Sequence, residues 1–193
     1  MRIARTFVVL GTMVITGLVG ITSQAGAPNC TQTGTPGDDV LNGTPGLDVL
    51  CGLAGDDELR GFGSGDLLRG GRGDDFLSGG RGDDMLLGGP GPDTMIGGAG
   101  DDLARGGRGV DDGDGGTGDD DLFGGGGADL TLYGGNAGAD RVIGDRGNDV
   151  CLATVDGSGN DVVIGGLGTD HVFVDPGDEV RRAEVEGNCF VDV

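Results

Sequence analysis

A nine-residue period runs through most of this 193-residue chain and restricts what the chain can fold into. From Gly34 the sequence divides into rows such as GGRGDDFLS and GGRGDDMLL, in which glycine, aspartate and a large apolar residue keep fixed positions. One apolar residue in nine is too few for the apolar face of a helix, which needs three or four per two turns. The period therefore indicates a solenoid of stacked repeat units.

Each row predicts one turn and one short strand. The first six residues are rich in glycine and aspartate, which favour turns, and residues seven to nine are predicted to form a three-residue strand. The eighth residue, which is leucine in most rows, is predicted to point inward because alternate strand residues face opposite sides. Disorder suits the composition but not a strictly placed leucine, and collagen needs glycine at every third position.

The charge of the chain is dominated by aspartate. The 33 acidic residues are 29 Asp and 4 Glu, all 12 basic residues are Arg, and the net charge is -21. Short carboxylates close to the backbone suit turns and hard-cation sites. A polyanion is not expected to bind nucleic acid or anionic lipid by charge. No complete catalytic motif is present and the repeats leave no room for a catalytic domain, so the sequence predicts that the protein is not an enzyme.

The sixth position of the rows carries aspartates that are predicted to bind metal ions. If two rows form one coil, residues eighteen apart lie one strand spacing, about 4.8 Å, from each other. Two such carboxylates and turn carbonyls can surround Ca²⁺, which takes six to eight oxygen ligands at about 2.3–2.6 Å. Several ions are expected, and a final degenerate row carries Glu179. The predicted metal ligands are Asp39, Asp48, Asp57, Asp66, Asp75, Asp84, Asp93, Asp102, Asp111, Asp120, Asp129, Asp140, Asp149, Asp161 and Asp170.

The pattern G-G-x-G-x-D-x-(large apolar)-x over roughly residues 34–182 resembles the nonapeptide of RTX, or hemolysin-type, calcium-binding proteins. The resemblance implies an all-β fold, a right-handed parallel β-roll, with Ca²⁺ in the turns bound by the sixth-position aspartate and backbone carbonyls. It implies a calcium-binding protein that folds when calcium binds, and the alternative is an adhesin or matrix protein that uses the roll as a scaffold. RTX toxins and proteases usually carry a C-terminal secretion signal and a separate effector domain, whereas for this chain we expect an N-terminal signal and no effector domain.

Residues 1–27 are predicted to be a secretory signal peptide. Arg2 and Arg5 precede an apolar run from Thr6 to Ile21, and small residues follow up to Ala27. This run is shorter than the roughly 20 apolar residues of a membrane span, so we expect cleavage, secretion and no membrane span afterwards. The rest of the chain is predicted to consist of an N-terminal cap (28–33), the β-roll (34–182) and a C-terminal cap (183–193).

The cysteines lie at the two ends of the mature chain and are predicted to form disulfides. An even number in an exported chain favours two bridges, for which three connectivities exist. Pairing within each end, Cys30–Cys51 and Cys151–Cys189, would staple both ends. Zinc binding is not expected, because there is no C-x-x-C motif and His171 is the sole histidine.

One predicted outer face carries a line of aliphatic residues. If the eighth residue points inward, residues seven and nine point outward, and residues eighteen apart share a face. This arrangement aligns Val49, Leu67, Met85 and Leu103. Exposed apolar strips often mark contacts, so we predict self-association or a protein partner here, against the simpler explanation that these residues only favour strands.

Overall fold

The computed structural model describes residues 29–150, 152–154 and 160–181. The predicted signal peptide, Cys151, Cys189 and the predicted C-terminal cap lie outside the described residues. The described chain consists of seventeen β-strands joined by turns. In this part of the chain no helix is long and apolar enough to cross a membrane.

The strands form two sheets, named here sheet A and sheet B. Sheet A contains the odd-numbered strands β1 (Gln32–Thr33), β3 (Val49–Ala54), β5 (Leu67–Arg72), β7 (Met85–Pro90), β9 (Leu103–Arg108), β11 (Asp121–Gly126), β13 (Arg141–Arg146), β15 (Val162–Leu167) and β17 (Glu179–Arg181). Sheet B contains the even-numbered strands β2 (Val40–Asn42), β4 (Glu58–Arg60), β6 (Phe76–Arg81), β8 (Thr94–Ala99), β10 (Asp112–Thr117), β12 (Thr131–Tyr133), β14 (Leu152–Thr154) and β16 (Val172–Val174).

The chain alternates between the two sheets, so each coil contributes one strand to each of them. Neighbouring strands within a sheet are parallel, and Val49 pairs with Leu67, which pairs with Met85. These partners are eighteen residues apart, which is two rows. The predicted parallel β-roll is confirmed, with about eight coils.

Most strands are longer than the three residues predicted from the sequence. In β5 the strand continues from Leu67 through Gly70 and Gly71 to Arg72, so the first three residues of a row are strand rather than turn. Coils stack so closely here that a Cβ on Gly71 would overlap the carbonyl oxygen of Leu53, and Gly71 has φ +126°. Glycine is therefore needed for close backbone pairing as well as for turning the chain.

The core is a single thin layer between the sheets. The eighth residue of the rows points inward as predicted, and Leu50, Leu59, Leu68 and Leu77 are fully buried. Each buried leucine contributes roughly 1.5–3 kcal/mol of burial free energy. Ala104 takes this position in β9, so the layer is thinner there.

The N-terminal end of the roll is covalently closed. Cys30 and Cys51 form a disulfide with a Cα–Cα distance of 6.1 Å, which confirms the predicted local pairing at this end. Cys51 lies in β3, and the short strand β1 pairs with β3. The region predicted as an N-terminal cap therefore contributes the edge strand of sheet A.

Candidate metal sites in the turns

The sixth-position aspartates form two columns, each immediately before the strands of one sheet, and all but the end residues Asp39 and Asp178 are buried. Within a column, each backbone N–H donates to Oδ1 of the aspartate in the next coil, for example Asp57 N–H to Asp75 Oδ1 at 2.9 Å and Asp66 N–H to Asp84 Oδ1 at 2.7 Å. The column before sheet B comprises Asp39, Asp57, Asp75, Asp93, Asp111, Asp129, Asp149 and Asp170. The column before sheet A comprises Asp48, Asp66, Asp84, Asp102, Asp120, Asp140, Asp161 and Asp178.

Asp178, rather than Glu179, ends the column before sheet A. The Asp161 N–H donates to Asp178 Oδ1 at 3.3 Å, whereas Glu179 is the first residue of β17 and pairs with Val162. The last interval is seventeen residues, one fewer than the standard coil, so the column position of the degenerate final row falls at Asp178 and not at Glu179. Counting back two residues from the apolar Val180 would have identified Asp178.

The second carboxylate oxygen of most column aspartates is buried and accepts no hydrogen bond. This holds for Oδ2 of Asp57, Asp66, Asp75, Asp84, Asp93, Asp102, Asp111, Asp120, Asp129, Asp149 and Asp170. Buried polar atoms in proteins normally have a partner, and a buried charge without one is unfavourable. A repeated set of such atoms therefore indicates that something outside the chain compensates them.

A backbone carbonyl faces the same space as several of these carboxylate oxygens. A Cβ on Gly79 would overlap Asp84 Oδ2 and would lie 2.7 Å from the carbonyl oxygen of Gly97, one coil further on. The same arrangement recurs at Gly97, which faces Asp102 Oδ2 and the Gly115 carbonyl. The first-position glycine therefore leaves room in which carboxylate and carbonyl oxygens converge.

The pKa values of the column aspartates reflect this burial. Burial raises the pKa of Asp93 to about 7, the N–H of Asp75 opposes this shift, and the Asp111 and Asp75 carboxylates add to it. The same causes raise the pKa of Asp102 to about 7 and that of Asp84 to about 6. Without a cation these groups would hold protons close to neutral pH, because a proton also removes the buried charge.

The donor atoms in this region fit a calcium ion. The columns and turns offer carboxylate and carbonyl oxygens, which suit hard cations such as Ca²⁺ rather than zinc. Across the described ranges, no three His, Cys, Asp or Glu side chains cluster around one point. Any ion here must therefore draw much of its coordination from the backbone, which the close approach of glycine carbonyls allows.

The first two rows differ from the later ones. Asp39 Oδ2 accepts hydrogen bonds from Thr35, at 2.5 Å from its N–H and 2.9 Å from its hydroxyl, and Thr44 donates in the same way to Asp48 Oδ2 at 2.6 and 2.9 Å. Burial favours a higher pKa for Asp48, but hydrogen bonds from Thr44 and Thr31 hold the pKa below its usual value. The chain itself thus satisfies these two carboxylates.

A second ladder of aspartates, which the sequence reasoning missed, lies on the exposed edge of the turns. Asp56 N–H donates to Asp38 Oδ1 at 2.9 Å, and Asp74 N–H donates to Asp56 Oδ1 at 2.9 Å. Asp119 and Asp101 continue the pattern on the other edge, where Asp119 N–H donates to Asp101 Oδ1 at 2.9 Å. The signal was the recurrence of Asp at the fifth position. These bonds run opposite to those of the buried columns and tie the turns together in both directions.

Turn-and-strand coils with buried, oxygen-only donor columns define the class of calcium-binding β-solenoids. The family model for the RTX calcium-binding nonapeptide repeat (4 copies) matches residues 33–63, 60–95, 78–112, 87–122, 114–151 and 155–178. The chain belongs to this family, which confirms the predicted resemblance. A search of curated proteins found no match.

Proposed function

We propose that this is a secreted calcium-binding protein whose β-roll folds when Ca²⁺ binds between its stacked turns. The observation that carries the proposal is the column of buried Oδ2 atoms without hydrogen-bond partners. A bound cation neutralises these carboxylates, whereas in its absence they repel one another across about 4.8 Å and the thin core offers little compensation.

We assign the calcium-binding role to the column aspartates from Asp57 to Asp170. At Asp84, for example, the Oδ1–amide bond fixes the carboxyl group and leaves Oδ2 facing the Gly97 carbonyl. Asp39 and Asp48 were predicted as ligands too, but their Oδ2 atoms already accept two hydrogen bonds each from threonine. We propose that they cap the roll instead.

Two observations support secretion. The order of charged, apolar and small residues in 1–27 is typical of a secretory signal peptide. The Cys30–Cys51 disulfide is typical of oxidising compartments outside the cytosol. Extracellular calcium would then be available to the exported chain.

A calcium titration with one informative variant tests this function. Circular dichroism of the mature chain should change from disordered to β-rich with Ca²⁺ and should respond much less to Mg²⁺. Asp93→Asn keeps an oxygen for the Asp75 N–H but removes the charge at Oδ2, so we expect the calcium midpoint to rise by about tenfold or more. Asp39→Asn is the matched control, and its midpoint should stay within about twofold.

A chain that is equally β-rich in chelator and in calcium would contradict the proposal. Equal effects of the two Asn variants would contradict the assignment of ligands while leaving calcium binding intact.

A second candidate function is a structural scaffold that presents a contact surface, as in an adhesin or matrix protein. The apolar strip favours it, because Val49, Leu67, Met85 and Leu103 pair in register on sheet A and the Met85 side chain is 40% exposed. Changing Leu67 and Met85 to Ser should abolish any calcium-dependent contact without affecting folding. If the protein is a monomer and binds no partner in the presence of calcium, the aliphatic residues of this strip are explained by their preference for β-strands alone.

A further inference from the structure

The outer face of sheet A alternates between basic and apolar strands. Strands β5, β9 and β13 each carry two arginines: one at an outward-facing position (Arg69, Arg105 and Arg141) and one, exposed, at the C-terminal end of the strand (Arg72, Arg108 and Arg146). The strands between them, β7, β11 and β15, carry none and instead present side chains such as Leu87, Phe123 and Ile164. The sequence reasoning missed this pattern because it spans four rows.

The arginine strands are regularly spaced. Arg69 pairs with Leu87, which pairs with Arg105, so the two arginines lie two strand spacings, about 9.6 Å, apart. Phe123 lies on the strand between Arg105 and Arg141, whose guanidinium carbons are 4.9 and 5.3 Å from the ring centroid. These cation–π contacts hold the guanidinium groups over the sheet.

Most of this positive charge is not neutralised by the protein. Among the described residues, Arg69, Arg72, Arg108 and Arg146 make no ion pair within 4.0 Å, whereas Arg141 pairs with Asp121 at 3.0 Å. Sheet B, in its described strands, has only Arg60, paired with Glu58, and Arg81. The net charge of -21 therefore conceals a face that is locally basic.

A groove of about 330 Å³ marks one anchoring point on this face. Gly126 pairs with Arg108 on one side and with Arg146 on the other, and its missing side chain leaves the space between the two guanidinium groups open. Asp145 also lines the groove and contributes one carboxylate, so two arginines face a single acid. An arginine pair binds carboxylate or sulfate groups through charge-assisted hydrogen bonds.

We propose that sheet A binds a linear anionic polysaccharide that lies along the stack of strands. Its acidic groups contact the arginine strands and its sugar rings contact the apolar strands between them. The ligand must be narrow, because a strand of six residues is about 20 Å long and exposed carboxylates such as Asp74 and Asp101 flank both ends. A nucleic acid duplex or a bilayer would cover these acids and be repelled.

The inference rests on the proposed calcium-dependent folding only because it requires an assembled sheet. The assay is fluorescence anisotropy of labelled hyaluronan oligosaccharide, which carries carboxylates, and of labelled dextran sulfate, with neutral dextran as the control polymer. The full mature chain is used in saturating calcium at about 0.05 M and about 0.5 M salt. Circular dichroism of every sample separates a failure to fold from a failure to bind.

We expect at least one acidic polymer to bind at low salt, to dissociate at high salt, and to outcompete neutral dextran. The double variant Arg108→Gln/Arg146→Gln should weaken binding by about tenfold or more. Arg60→Gln/Arg81→Gln removes the same charge from sheet B and should change binding by less than about twofold. If the first variant does not fold in calcium, Arg69→Gln/Arg105→Gln replaces it.

Three results would overturn the inference. The first is no binding of either acidic polymer by folded protein at low salt. The second is an equal loss of binding in the sheet A and sheet B variants. The third is a tighter complex with single-stranded DNA, with anionic vesicles or with a second copy of the chain, which would give this face a different partner.

Discussion

The first coil and the middle coils solve the same problem of buried carboxylates in two ways. In the first coil, Thr35 and Thr44 donate hydrogen bonds to Oδ2 of Asp39 and Asp48, and a disulfide closes the chain. In the middle coils, glycine replaces threonine at the second position and Oδ2 has no hydrogen-bond partner, as at Asp84. The difference lies in what compensates the charge.

Under the proposed function, this comparison implies that the residue at the second position decides whether a repeat needs a metal ion to compensate its carboxylate. A threonine at the second position donates both its backbone N–H and its hydroxyl to the carboxylate, whereas glycine at that position, as at Gly80 with φ +117°, has no hydroxyl and its N–H does not donate to Asp84 Oδ2. We therefore expect the first coil to act as a calcium-independent end on which the calcium-dependent coils assemble.

Removal of calcium should have the largest effect and should separate the two regions. In chelator, amide protection in the middle coils, such as that of Asp75 and Asp93, should fall by about three orders of magnitude, or about 4 kcal/mol. The Gly34 amide, which donates to Cys51, should lose much less. Hydrogen exchange with and without calcium measures this, and uniform loss along the chain would contradict the comparison.

Blocking the space at a first-position glycine should be nearly as damaging. Gly79→Ala would place a methyl group against Asp84 Oδ2 and the Gly97 carbonyl, so we expect a loss of about 2–4 kcal/mol in saturating calcium. Gly37→Ala is the control in the first coil, since the nearest atom to its Cβ is Thr35 Oγ1 at 4.0 Å. Thermal unfolding of both variants gives the comparison, and a well-tolerated Gly79→Ala would argue against a crowded donor space.

Acidification should affect the two regions in opposite directions when calcium is absent. Folding raises the pKa of Asp93 and Asp102 to about 7, so the folded state binds extra protons and its stability falls as pH rises through 7. The chelated middle coils should thus gain stability from pH ~7 to pH ~4. Asp48 has the opposite effect, because folding lowers its pKa. Its contribution to folding stability is therefore lost as the pH falls through the pKa of the folded state. Circular dichroism in chelator between pH ~7 and pH ~4 tests this, and a β-sheet content that rises with pH would contradict it.

Removing one threonine hydroxyl should have the smallest effect. Thr44→Val deletes the 2.9 Å bond to Asp48 Oδ2 and the 3.1 Å bond from the Gly46 N–H, so we expect a loss of about 1 kcal/mol, equal with and without calcium. Thr94→Val is the control, because Thr94 lies exposed on β8, away from the column carboxylates. A loss that depends on calcium would place an ion at Asp48.

The sequence predicted the stacking of the fold because the repeat sets it directly. Leucine occupies the eighth position of most nine-residue rows, as at Leu59 and Leu68, and this residue must point inward from its strand. Because the chain alternates between two sheets, residues eighteen apart stack on each other. The strand length was not predicted, because Gly70 and Gly71 have high turn propensity and only pairing with the neighbouring coil makes them strand.

The ligand candidates were predicted by position, but their differences were not. In the sequence, the row that contains Thr35 and Asp39 resembles the other rows. Only the structure of the turn shows that Thr35 donates hydrogen bonds to the Asp39 carboxylate. The end of the column at Asp178 was missed because a strict period cannot register a shortened row.

The closed loop between Cys30 and Cys51 also determines how the roll should respond to mechanical force. Each coil contributes edge strands that can peel away in turn, and eighteen residues extend by roughly 60 Å when a coil unravels. Pulled between its ends, the chain should lengthen in steps of this size as the coils outside the disulfide loops unravel. The segment between the two cysteines cannot lengthen until the disulfide is reduced, so the N-terminal end should behave as a fixed anchor for an extensible tether.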